Sequence, residues 1–103
     1  MITGEIYLQP IPNQIFSLIL DGNNYIVQIK TFKEHTFMSI TINDVKLCDN
    51  IRCFSNDIIF PYEENTSIKL CWLCQDMEDP YYTKFGTLHR LLYESIPKAT
   101  GGW

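Results

Sequence analysis

From Gln14 to Glu94 apolar and polar residues repeatedly alternate at period two, and the alternation stops at short clusters that tolerate positive φ. That combination confines the chain to strands joined by tight turns. In QIFSLIL, Phe16, Leu18 and Leu20 share one face while Ser17 points to the other; Asp21-Gly22-Asn23 follows, and NYIVQIKT resumes with Tyr25, Val27 and Ile29 on one face. The pattern predicts a hairpin. TFMSITIN repeats it, with Met38, Ile40 and Ile42 inward and Ser39 and Thr41 outward, and ends at Asn43-Asp44 before VKLC. A second hairpin is expected there, and Asp49-Asn50 predicts a further turn into IRCF. NDIIFPYEEN is interrupted by Pro61, which cannot donate into a central ladder and so marks an edge or a loop. SIKLCWLCQ then predicts a long strand with Ile68, Leu70, Trp72 and Cys74 on one face, and TLHRLLYE the last one. About seven short, mostly antiparallel strands at such spacing imply an all-β fold, a single small β-barrel or β-sandwich.

With 103 residues and 46% apolar content the chain suits one domain with one core. We expect a β-barrel or sandwich domain over residues 1–95 and a C-terminal tail over 96–103. No apolar run approaches the ~20 residues of a membrane helix, so no membrane association is expected. The start MITGEIYLQPIP has neither a basic nor a continuous apolar region, which argues against secretion by a signal peptide. A net charge of −4 opposes contact with phosphate backbones, so nucleic acid is a poor partner. Cys48, Cys53, Cys71 and Cys74 are then expected as thiols.

Those cysteines, as C-x4-C and C-x2-C, are the strongest hint of chemistry. Tetrahedral zinc takes four thiolates supplied by short-spaced pairs, so a zinc site at Cys48, Cys53, Cys71 and Cys74, or a redox pair, is the competing functional reading. Against it, Cys71 and Cys74 lie in the strand-like run IKLCWLC, where residues three apart point to opposite faces ~10 Å apart along the chain. Buried structural thiols are the expectation, and no metal or other cofactor is assigned. Asp76, Glu78 and Asp79 match no calcium loop. His35 and His89 stand without a paired Asp or a cysteine nucleophile in any recognisable arrangement, and no nucleotide or hydrolase motif occurs, so no enzymatic activity is expected. Trp72, between Leu70 and Cys74 on its face, reads as a core anchor.

Read in order, the chain presents Asn13-Gln14 with Phe16, the L-D-G-x-x-Y hairpin of Leu20 to Tyr25, Arg52-Cys53 with Asn56 and Pro61, and the P-Y-Y-x-x-F-G run from Pro80 to Gly86. This succession, from about Pro12 to Tyr93, resembles the small baseplate plug proteins of contractile-tailed bacteriophages, components of the hub that closes the tip of the tail tube. The resemblance implies a structural virion protein of the tail baseplate, made in the bacterial host cytoplasm. It implies work through protein–protein contacts with baseplate hub and tail tube proteins in a hetero-oligomeric assembly, with no catalysis. Large rigid tyrosines on a loop entered by proline and left by glycine suit an interface. Tyr81, Tyr82, Phe85 and Trp103 are the interface candidates, with the N-terminal arm from Met1 to Pro12 next in line.

Overall fold

The computed structural model describes residues 3–20, 22–59 and 68–95. Its strands are β1 (Gly4–Ile6), β2 (Gln14–Leu20), β3 (Asn23–Phe32), β4 (His35–Ile42), β5 (Val45–Arg52), β6 (Ile58–Ile59), β7 (Ile68–Cys74) and β8 (His89–Ser95). Consecutive hairpins build one antiparallel sheet in the order β2-β3-β4-β5, and the first and last strands meet in the other, β1-β8-β7-β6. The expected faces are realised. Tyr25, Val27 and Ile29 of β3, Met38, Ile40 and Ile42 of β4, and Ile68, Leu70, Trp72 and Cys74 of β7 are all buried and join a single apolar cluster between the sheets. Among the described residues no pairing links the edges of the two sheets, so of the two expected architectures this is the sandwich.

Three features differ from the sequence expectation. The N-terminal GEI, which carries no alternation, is a strand because β8 supplies its hydrogen-bonding edge, with Gly4 opposite Tyr93 and Ile6 opposite Leu91. Gly4 is needed for that approach, since a Cβ there would stand 2.8 Å from the Tyr93 ring. Asp49-Asn50 is not a turn. β5 continues through it with Asn50 at φ 50° and a shifted register against β4. The Ser39 hydroxyl holds the irregularity: Oγ accepts the Asn50 N–H at 2.9 Å and donates to Asp49 Oδ1 at 3.1 Å. Ser39 lies on the outer face as expected, but the bulge over it leaves it buried. Pro61 lies outside the described residues.

The third difference is the β3–β4 turn at Lys33-Glu34, which has no turn signature. Both residues adopt positive φ, 48° and 67°, as do Asn43 and Asp44 in the β4–β5 turn at 49° and 68°. Two such residues joining a hairpin match the type I′ turn, where Asn-Gly is at home and Lys-Glu is strained. Changing Lys33-Glu34 to Asn-Gly is therefore expected to stabilise the domain by about 1 kcal/mol, read as a rise in Tm of several degrees. An unchanged or lowered Tm would mean that Lys33 and Glu34 make compensating contacts.

Candidate functional site

The β7–β8 connection, Gln75 to Leu88, carries the aromatic run and is held by polar contacts from both sheets. Its ends close through the Gln75 N–H on the Leu88 carbonyl at 2.9 Å. From the opposite sheet, Thr36 Oγ1 donates to the Pro80 carbonyl at 2.6 Å in a buried bond. The Ser55 N–H donates to Asp79 Oδ1 at 2.9 Å, and Arg52 reaches Asp79 Oδ2 at 3.7 Å. Asn56, in the left-handed region at φ 55°, accepts the Cys74 N–H on Oδ1 at 3.1 Å, fixing the end of β7 where the connection begins.

At the centre of this frame lies His89, which is fully buried. The Tyr81 N–H donates to His89 Nδ1 at 2.9 Å, so Nδ1 carries a lone pair and Nε2 the proton it gives to Asp76 Oδ1 at 2.8 Å. Asp76 Oδ2 takes Lys84 Nζ at 2.7 Å, and the Glu78 N–H also donates to Oδ1 at 3.1 Å. The lone histidine of the sequence reading thus has an acidic partner 13 residues away. Both ring nitrogens are committed to internal partners, so this pair orients the loop.

The Lys84 hydrogen bond, opposed by desolvation and reinforced by His89 and the Glu78 N–H, holds the Asp76 carboxyl well below the usual carboxylate range. The folded value lies below the unfolded one, so Asp76 contributes stability that is present above pH ~4 and is lost as pH falls below that. In acid titrations followed by thermal melting, the native protein should lose Tm below pH ~4 more steeply than an Asp76→Asn variant. Parallel curves would mean that Asp76 is not coupled to folding.

The aromatic side chains divide between two environments. Phe85 is 3% exposed and stacks on Trp72, ring centroids 5.6 Å apart with planes at 24°. This interface candidate therefore belongs to the core, and it anchors the loop. Tyr81 and Tyr82 are half-buried and lie against each other with centroids 4.7 Å apart. A 3₁₀ turn over Tyr82–Lys84 follows, and Gly86, at φ 83°, donates its N–H to the His89 carbonyl as the chain enters β8. Tyr81, Lys84, Glu78 and Asp79 face Glu34 and His35 of the β3–β4 turn across an open cleft of about 340 Å³. Trp103 and the 96–103 tail lie outside the described residues.

The cysteines are all free thiols. Cys74 is buried on the Trp72 face of β7 and Cys71 is half-exposed on the other, while Cys53 is buried just beyond β5. Among the described residues no three His, Cys, Asp or Glu side chains come together as a metal site. Burial pushes the Cys53 thiol up to about 12, and burial likewise raises Cys48, Cys71 and Cys74. Groups so raised stay protonated near neutrality and are poor nucleophiles and ligands.

Several residues of the sequence succession now have structural tasks. Gln14 exchanges two hydrogen bonds with the Gln9 backbone, and Asn13 Oδ1 accepts the Thr31 N–H, so this pair ties the N-terminal arm to β3. Tyr25 is a core side chain, and Arg52 and Asn56 brace the β7–β8 connection. The family model described as "Cyanophage baseplate Pam3 plug gp18" matches residues 1–97. No curated protein matches the chain.

Proposed function

The chain belongs to the cyanophage baseplate plug family, and from that membership we propose that it is a plug in the tail baseplate of a phage or phage-derived particle, working through protein contacts at the tip of the tail tube. Hub and tail tube proteins of the same particle are its partners, and no catalytic step or cofactor is assigned to it. The supporting observation is the division of labour within the 75–88 connection. Phe85, His89, Asp76 and Thr36 make it rigid from beneath, while Tyr81 and Tyr82 remain partly open to solvent on top. A rigid support lets two large rings be offered with little ordering cost, and such rings often supply ~2 kcal/mol or more each in an interface.

The test separates docking from folding. Changing Tyr81 and Tyr82 together to Ser should leave the isolated chain folded, at a lower Tm because the half-buried Tyr82 also packs against the core. It should also abolish incorporation into particles assembled without the native copy, as judged by a blot of purified particles. Incorporation at native levels would remove these tyrosines from the docking face. Phe85 is excluded from this variant because its loss would open the core.

A further inference from the structure

Two of the four sheet edges are visibly blunted among the described residues. β1 is three residues long. β5 bears exposed Lys46, Asp49 and Arg52 and an irregular register against β4. Shortness, charge and bulges are the devices that keep a sheet edge from pairing with another chain. β2 has none of them. Its seven residues, QIFSLIL, carry no charge and pair with β3 in unbroken register. Ile15 and Ile19 stand 64% and 73% exposed on its outer face.

The register also says which backbone groups of β2 are free. The Asn24 carbonyl accepts the Asn43 N–H next to β4, so Tyr25, Val27 and Ile29 turn their backbone groups toward β2, to Leu18, Phe16 and Gln14. Backbone direction alternates along a strand, so Ile15, Ser17 and Ile19 aim their N–H and C=O groups out of the sheet. These three positions are symmetric about Ser17.

We propose that the β2 edge is the docking surface for a second copy of this chain, the two β2 strands pairing antiparallel about a twofold axis through Ser17. In that register Ser17 meets Ser17 of the second copy, and Ile15 meets Ile19. The outward N–H and C=O groups of all three positions then find partners. On the inner face the half-buried Phe16 lies opposite Leu18 of the second copy, and no charged side chain of either β2 meets a like charge. Apolar cross-strand pairs of this kind stabilise a sheet, and a surface that is its own complement is what a twofold interface requires. The two sheets that contain β2 become one continuous sheet, and both bare edges disappear. This inference does not rest on the baseplate reading.

Sedimentation of the purified chain at tens of micromolar should give twice the chain mass. Changing Ile15 and Ile19 together to Lys should halve that mass while leaving the chain folded by circular dichroism, because both side chains point to solvent in the single chain. The register is tested separately by cross-linking under mild oxidation. Ser17→Cys should yield a disulfide-linked dimer above the native background, and Ile15→Cys should not, because the two copies of position 15 are four residues apart in this pairing. A native chain that sediments as a monomer overturns the proposal. So does a dimer that persists in the double Lys variant, or equal cross-linking at both positions. If the native chain is monomeric and the double Lys variant is excluded from particles, the edge takes a strand of a different subunit, which also overturns pairing with a second copy.

Discussion

Replacing Trp72 with Ala is expected to cost about 3–5 kcal/mol, the largest effect of any single truncation in this domain. Trp72 is fully buried in the β7 face that packs against the β2–β5 sheet, and Phe85 stacks on its ring. Its backbone N–H donates to the Asp57 carbonyl at 3.0 Å, so β7 stays aligned beside the 53–57 segment whatever the side chain. The loss is therefore one of side-chain volume. A cavity of indole size lies between two sheets that cannot collapse independently, because each is held by its own ladder. Against a total stability of ~5–15 kcal/mol this is a substantial share of the margin. Thermal melting should show a fall of at least ~12 °C, and Phe85, losing its stacking partner, should release the tyrosine loop. A Tm within a few degrees of the native value would contradict the central position of Trp72.

His89→Leu is expected to cost about 2–4 kcal/mol, through unpaired polar groups rather than lost volume. Leucine fills much of the same space but accepts no hydrogen bond, so the Tyr81 N–H loses its partner and Asp76 Oδ1 keeps only the Glu78 N–H. His89→Gln should be milder. Its amide can offer an acceptor to Tyr81 and a donor to Asp76, as the imidazole does. The melting order native, His89→Gln, His89→Leu is thus expected, with faster hydrogen exchange of the Tyr81 amide in the Leu variant. Equal Tm values for the two substitutions would show that shape, not hydrogen bonding, sets the role of His89.

The resemblance to baseplate plugs was carried by residues that the fold uses as fasteners. Asn13, Gln14, Asn56 and Gly86 each tie a loop or an arm to a neighbouring strand or set a turn, and such tasks demand a particular side-chain acceptor or a positive φ at one position. They were readable in sequence as a pattern, but their partners were not. The Asp76–His89 pair shows why. Asp76 and His89 flank the aromatic connection, and only its closure brings them to 2.8 Å.

The sequence by itself determined the strand class, the β2–β3 and β4–β5 hairpins, and the phase of each main strand. Strict alternation assigns every side chain to a face without reference to any distant residue, which is why Tyr25, Val27, Ile29, Met38, Leu70, Trp72 and Cys74 were placed inward. The tertiary structure alone decided which strands meet and which rings turn in. Gly4–Ile6 is a strand only because β8, from the far end of the chain, lies beside it, and Asn50 bulges within β5 instead of turning because Ser39 receives its N–H. Tyr81, Tyr82 and Phe85 are equivalent in composition. Phe85 is buried where it stacks on Trp72, whereas Tyr81 and Tyr82, at the N-cap and first position of the 3₁₀ turn, lie half-exposed against each other. Faces follow from local periodicity; the pairing of edges and the filling of a core are long-range outcomes that no local pattern encodes.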